Sequence, residues 1–300
     1  MDDPMPSILT LVTPPTLLDQ SIIDLISSIL PTQNLQWLSE QEALDIPLPE
    51  HKDHEQTIHI TQKIKQTLSN KPVDVFVTHS EFRKKKLLIA DMDSTIVQSE
   101  TLDDLASEVG IGEQIAAITK RAMNGELVFA DALNERIALL KGVSANLLEK
   151  TWQHTQLNKG AKTLVATMKK YKAYTALISG GFTFFTQNVA NACGFDENHA
   201  NRLSISNNKL DGTVIPPILG KEAKLFHLKR LTEELKINPQ ETVTIGDGAN
   251  DLPMLTHAGL GIGYYPKPIV AEQVVNVIQH SSLESVLFMQ GYHRSDFVNE

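Results

Sequence analysis

Leu87-Leu88-Ile89-Ala90-Asp91-Met92-Asp93-Ser94-Thr95 is the stretch whose reading decides the fold. Four consecutive apolar residues read as a short buried strand. Two carboxylates then stand where that strand ends and the chain turns. In open α/β sheets the carboxyl edge is where ligands bind. Two acids on one such turn can hold a hard cation, and can also supply a carboxylate nucleophile and an acid/base.

Working outward, apolar strands recur at 175–178, 243–245 and 260–262, each ending in a polar or glycine-rich turn, with helical patterns between them. That alternation predicts an α/β fold with a doubly wound parallel sheet. The interval between the first two strands is far longer than the dozen or so residues a crossover needs. It carries helical patterns at 102–109, 115–123, 129–140 and 145–152, which read as a helical cap inserted over the active edge, at about residues 99–165. Residues 203–214 read as a hairpin turning at Asn207-Asn208. Ahead of all this lie a strand at 7–13, a helix from 19 to 30 stopping at Pro31, a weaker strand within 35–48, a helix at 55–68 and a strand at 73–77. The expectation is a small α+β domain over residues 1–80, joined to a larger domain over 81–300.

A second acidic cluster, Gly246-Asp247-Gly248-Ala249-Asn250-Asp251, follows the strand Val243-Thr244-Ile245. If the two strands are neighbours, Asp91, Asp93, Asp247 and Asp251 converge, and a divalent cation with a preference for oxygen relieves their repulsion. Few protein ligands plus a substrate phosphate is the usual Mg²⁺ arrangement. Ser179-Gly180-Gly181 ends another strand, where a hydroxyl and unblocked amides can cradle phosphate. Lys224 opens a helix and can neutralise a nucleophile and phosphoryl oxygens; Lys221 is its near competitor.

Composition bounds the rest. The 300 residues are 41% apolar and 21% charged, with 27 basic and 36 acidic side chains for a formal charge of −9. An acidic balance argues against a nucleic-acid partner. The run Arg83-Lys84-Lys85-Lys86 is read as a solvated lead-in to the strand that follows. No apolar stretch reaches the roughly 18 residues a membrane span requires, and the start has no signal-peptide pattern. The single cysteine, Cys193, is read as packing. A cytoplasmic setting is expected. His51, His54 and His59 lack acids at ligand spacing and are read as ordinary linker and helix residues.

In order, spacing and identity, Asp91-Met92-Asp93-Ser94-Thr95, Ser179-Gly180-Gly181-Phe182, Lys224 and Gly246-Asp247-Gly248-Ala249-Asn250-Asp251-Leu252 resemble the four motifs of the haloacid-dehalogenase superfamily, and within it the phosphoserine phosphatases, over about residues 84–290. The resemblance implies roles. Asp91 would be the nucleophile that forms an aspartyl-phosphate, and Asp93 the acid for the leaving serine oxygen and then the base for water. Mg²⁺ would be held by Asp91, the backbone carbonyl of Asp93, and Asp247, with Asp251 supporting it from behind. Ser179, Gly180 and Lys224 would bind phosphoryl oxygens, and Asn250 would orient phosphate or water. In the cap, Glu100 would pair the ammonium of O-phosphoserine and Arg136 its carboxylate. Met123 and Phe129 would close over the substrate. The implied activity is the last step of serine biosynthesis. The amino-terminal order resembles an amino-acid-binding domain of the ACT type, for which homodimerisation, packing and serine sensing all remain open.

Two other readings stand beside this one. The same chemistry could serve another small phosphomonoester, or transfer a phosphoryl group between hydroxy amino acids. A non-catalytic amino-acid sensor on a dead phosphatase fold is the rival from another class, and the filled set of chemical positions weighs against it.

Overall fold

The structure, a computed structural model, describes residues 7–30, 34–48, 54–123 and 126–299, the side chains of His54, Glu55 and Met123 excepted. Pro31 and His51 lie outside the described residues; His59 is exposed.

The amino-terminal layer runs β1 (Ser7–Val12), α1 (Gln20–Ser27), β2 (Gln36–Ser39), β3 (Ala43–Pro47), α2 (His54–Thr67) and β4 (Asp74–His79). Its four strands form a sheet in the order β2-β3-β1-β4. The single weak strand expected within 35–48 is corrected to a hairpin, in which β2 pairs antiparallel with β3 across a bulge between Trp37 and Ser39. The polar Glu40-Gln41-Glu42 segment that weakened the pattern is the turn, with Gln41 at a φ of 56°. Strand alternation gives this sheet two unlike faces. Leu9, Leu11, Leu44, Ile46 and Val75 pack with Ile22 and Ile26 of α1 and Ile64 of α2. The opposite face sends Val12, Ala43 and Phe76 into the core of the larger layer.

The larger layer begins with β5 (Leu87–Ala90), followed by α3 (Thr101–Glu108), α4 (Gly112–Met123), α5 (Phe129–Ala138), α6 (Asn146–His154) and α7 (Ala161–Lys170). Then come β6 (Tyr174–Phe182), α8 (Thr183–Cys193), β7 (Glu197–Ser206), β8 (Lys209–Ile215) and α9 (Lys221–Glu234). The chain ends with β9 (Thr242–Gly246), α10 (Leu252–His257), β10 (Leu260–Tyr264), α11 (Pro268–Ala271), β11 (Asn276–Ile278) and α12 (Ser285–Met289). The seven strands are ordered β11-β10-β9-β5-β6-β7-β8. All adjacent pairs are parallel except the β7–β8 hairpin. The central strand, β5, is wholly buried, with β6 on one side and β9 on the other. From β5 the chain first winds out through β6 and later returns to β9, so the order reverses at β5. A crevice opens at the carboxyl edge of a sheet at such a point, and Asp91 is the first residue past it.

Helices α3–α6 leave and re-enter the sheet through a pinned stem. Val97 and Leu157 form an antiparallel bridge. The Gln98 amide donates to the Gln156 carbonyl, and the Asn158 side chain donates to the carbonyls of Thr95 and Val97 at 2.8 and 3.1 Å. No described helix is long and apolar enough to cross a membrane.

The basic run before β5 departs from its reading as a solvated lead-in. Lys84 and Lys86 are exposed, but Arg83 and Lys85 alternate inward with them. The Lys85 ammonium donates to the Gln240 carbonyl at 2.6 Å. Arg83 makes a two-pronged pair with Asp45 at 2.7 and 2.8 Å and also donates to the Met289 carbonyl at 2.9 Å. It therefore joins the amino-terminal sheet to the larger layer. On the same sheet face, Asp74 accepts the backbone N–H groups of Gln279, His280 and Ser281.

Removing one member of a buried ion pair strands the other charge, at a cost of about 3–5 kcal/mol. Arg83→Met is therefore expected to lower unfolding free energy by about that much in urea titrations. Arg83→Met combined with Asp45→Asn, which removes the stranded charge, should recover most of the loss. Equal destabilisation in the single and double variants would contradict the assignment.

Candidate active site

Asp91 continues the ladder of β5, its amide donating to the Ile245 carbonyl at 2.9 Å. One carboxylate oxygen accepts the Met92 amide at 2.7 Å, and the other lies 2.8 Å from Lys224 Nζ. Lys224 is only 2% exposed and donates as well to Asp251, which is fully buried. The second Asp251 oxygen accepts the Gly248 amide at 3.0 Å. Glycine at 246 makes this approach feasible: a Cβ there would lie 2.3 Å from the Asp251 carboxyl carbon.

Asp93 is oriented from two sides. The Thr101 amide, at the start of α3, donates to one oxygen at 2.9 Å, and the Ser179 hydroxyl donates to the other at 3.3 Å. Ser179 Oγ in turn accepts the Gly181 amide at 2.8 Å. A Cβ on Gly181 would sit 2.9 Å from the Asp93 carboxylate, so β6 can approach only with glycine at that position. Asp247 is the first residue past β9, its carboxylate meeting the Thr95 hydroxyl at 3.4 Å and Lys267 Nζ at 3.3 Å.

Burial dominates the electrostatics. It pushes the Asp91 carboxyl well above its usual range, reinforced by Asp251 and only partly offset by Lys224. It raises Asp93 to about 6, with the Glu100 charge adding to the rise and bonds from Thr101 and Ser179 opposing it. Asp247 also rises through burial, against the pull of Lys267. Burial alone would neutralise Lys224, but Asp251 and Asp91 outweigh it and hold the ammonium charged. A carboxyl near 6 is suited to give and take protons around neutral pH.

The donor set fits a hard divalent cation. One oxygen each from the buried Asp91, Asp247 and Asp251 lies within 4.8 Å of the other two. All donors are oxygen, and among the described residues the buried positive charge beside them is Lys224, already shared between two acids. Mg²⁺ prefers such a set with few protein ligands.

Asp91, Asp93, Ser179, Gly180, Asp247 and Asn250 line one cavity of about 820 Å³ together with Glu100, Phe129 and Arg136 from the cap side. Lys224 and Asp251 stand behind Asp91, off the cavity wall. Asn250 is exposed at the rim. Glu100 is half exposed and accepts the Ser94 hydroxyl at 2.9 Å. Arg136 donates from Nε to the Ala132 carbonyl at 3.1 Å. Burial lowers its pKa, while Asp103 and Glu100 favour its charge. The Phe129 ring rests on Gly180, where an added Cβ would come within 3.3 Å of it. Met123 lies in α4, and its side chain is outside the described residues.

Lys267 was not legible from the motifs. It sits just past β10 with its ammonium between Asp247 and Glu100, 3.9 Å from the latter. The available signal was positional: it follows the end of the strand next to β9. Thr95 and Thr101 act on Asp247 and Asp93 through contacts that no spacing rule indicates.

A family model described as haloacid dehalogenase-like hydrolase matches residues 88–256. A phosphoserine phosphatase of Streptococcus thermophilus is 42% identical over 203 residues, covering 68% of this chain and 94% of that one. Another, of Archaeoglobus fulgidus, is 37% identical over 201 residues, covering 67% of this chain; the chain spans 58% of that relative's length. Among solved structures, a HAD family hydrolase from Salmonella enterica serovar Typhi matches with a TM-score of 0.85 at 30% identity, covering 95% of this chain and 98% of that one.

A carboxyl raised to about 6 in the folded protein, against an ordinary 3.8, costs stability above that range. Asp93 is charged and poorly solvated above pH 6, and neutral in both folded and unfolded chains below about pH 3.8. Asp93→Asn in the presence of chelator is therefore expected to stabilise the protein at pH 8, on the order of 1–3 kcal/mol. The gain should fade as pH falls through 6 towards 4. Thermal unfolding across pH checks this, and a gain independent of pH would contradict it.

Proposed function

Because the chain belongs to the haloacid dehalogenase-like hydrolase family, we propose that it hydrolyses O-phospho-L-serine to L-serine and phosphate, with Mg²⁺ as its cofactor. One observation carries this reading. One cavity is lined both by Asp91, Asp93 and Asp247 and by Glu100 and Arg136, which supports reading the first group as a phosphoryl-transfer end and the second as an amino-acid end.

Asp91 attacks phosphorus while the bond to the serine oxygen breaks, and Asp93 gives its proton to that oxygen. The product is L-serine and an aspartyl-phosphate on Asp91. Asp93, now a carboxylate, takes a proton from water as the water oxygen attacks phosphorus and releases Asp91. Splitting the displacement in two lowers each barrier, and one group serves both halves by changing from acid to base. Ser179 and Gly180 receive phosphoryl oxygens, and Lys224 balances the nucleophile's charge from behind. Asn250 orients phosphate or water at the rim. Asp91, the Asp93 carbonyl and Asp247 would hold Mg²⁺, with Asp251 behind them. When bound, the ion supplies Lewis-acid stabilisation of charge on the phosphoryl oxygens.

Glu100 pairs the substrate ammonium. Arg136 grips the carboxylate, for which a planar guanidinium is matched. Phe129 and Met123 cover the substrate and exclude water. In this proposal residues 1–80 are an ACT-like domain that supports a homodimer, residues 81–300 are the phosphatase, and the cap spans about residues 99–165.

Loss of a charge-assisted bidentate contact should cost roughly a hundredfold in kcat/KM. Arg136→Ala is expected to show that loss on phosphoserine and to stay within about threefold on an aryl phosphate, which has no carboxylate. Chelation should abolish phosphate release and Mg²⁺ restore it. Equal losses on both substrates would remove the amino-acid end from the account while leaving the phosphoryl end standing.

A further inference from the structure

We propose that Glu197, His199 and His227 form a second cation site, for a divalent transition ion such as Zn²⁺, between β7 and α9. Glu197 and His199 are two apart on β7 and so share a face of the strand. Their partners in β6 are Ala176 and Ile178. His227 comes from α9, one turn beyond Lys224. The two imidazoles stack with ring centres 4.0 Å apart and planes 28° apart. One donor atom from each of the three residues lies within 4.8 Å of the other two.

The protonation and support of the donors suit a metal. Tyr174 donates its hydroxyl to one Glu197 oxygen at 3.1 Å, leaving the other, Oε1, 3.1 Å from His199 Nε2. Metal-bound carboxylates are commonly held in this way by an outer hydrogen bond. His227 Nδ1 accepts the Arg230 Nε–H at 3.3 Å, so that nitrogen is unprotonated and its lone pair is engaged by the guanidinium. Burial keeps the ring neutral, down to about 4, with His199 and Arg230 adding to the effect. Two imidazoles and a carboxylate select zinc, nickel or cobalt, whereas Mg²⁺ prefers oxygen alone. Donors around tetrahedral zinc stand roughly 3.4 Å apart, so small ring and carboxylate rotations close the set and water completes it.

Arg230 is the competitor. Its guanidinium bonds Glu197 and His227, and also Glu234 at 2.8 Å. Swinging onto Glu234 alone releases both donors, so the cation and the guanidinium exclude one another. An ion here ties α9, the helix that carries Lys224, to β7.

The test uses Co²⁺ as a visible probe, titrated into the full chain in excess Mg²⁺ and then displaced by Zn²⁺. The expected result is a nitrogen-ligated cobalt absorption band that saturates at one equivalent. His199→Asn should weaken binding at least tenfold, and Arg230→Gln should strengthen it by roughly tenfold. Both residues are partly exposed, so both variants are expected to fold, and thermal unfolding checks that they do. Absence of the band, or a band that neither variant alters, would overturn the proposal.

Discussion

One ammonium buried between two aspartates is the interaction on which the rest of the site depends. Lys224, itself buried, holds the buried Asp91 and Asp251 together. Without it, the carboxyl end of the central strands would carry Asp91, Asp247 and Asp251 within a few ångströms of one another. Such a cluster repels itself, and the Lys224 ammonium offsets part of that repulsion at Asp91. The sheet order explains why the cluster exists at all. With β6 and β9 flanking β5, the ends of β5 and β9 and the last part of β6 deliver Asp91, Asp247 and Ser179 to one crevice. Glycines at 181 and 246 let them approach without collision.

The other layers hold that crevice in shape. The cap is tied at its stem by Asn158, pairs with the β7–β8 hairpin through Gly142, Val143 and Ala145, and sends Leu133, Ile137 and Leu140 into the main core, so the wall bearing Glu100 and Arg136 is held on several sides. The amino-terminal sheet spends its apolar face on its own helices and presents a mixed face to the larger layer. Thr10, Asp45 and Asp74 on that face are satisfied by Arg83 and by backbone amides near β11. Buried polar groups matched in this way fix one register between the layers, because a shift would leave them unpaired.

The parts legible in the sequence were those encoded locally. The apolar run 87–90 coincides with β5, and two acidic motifs follow strand ends while Lys224 lies in the first turn of α9; Ser179-Gly180-Gly181 instead lies within β6, which runs on to Phe182. Lys224 is buried where its competitor Lys221 is exposed. Cys193 is in the core, as read. What stayed hidden depends on tertiary pairing. The hairpin at β2–β3 looked like one poor strand because its turn is polar but lacks glycine. β11 has only three residues and gains its identity from β10. Arg83 looked like part of a solvated run because its partner, Asp45, lies in another layer. Lys267 and the Glu197, His199 and His227 group come together only when strands and helices that are distant in sequence pack.

The central claim is that Asp91 carries the phosphoryl group between the two displacements. The most direct measurement is a rapid acid quench during turnover of phosphoserine labelled in its phosphate, followed by mapping of any protein-bound label. The account predicts a hydroxylamine-labile label on the peptide containing Asp91, chased by unlabelled substrate and absent in Asp91→Asn. Steady release of phosphate with no protein-bound label, undiminished in Asp91→Asn, would contradict it.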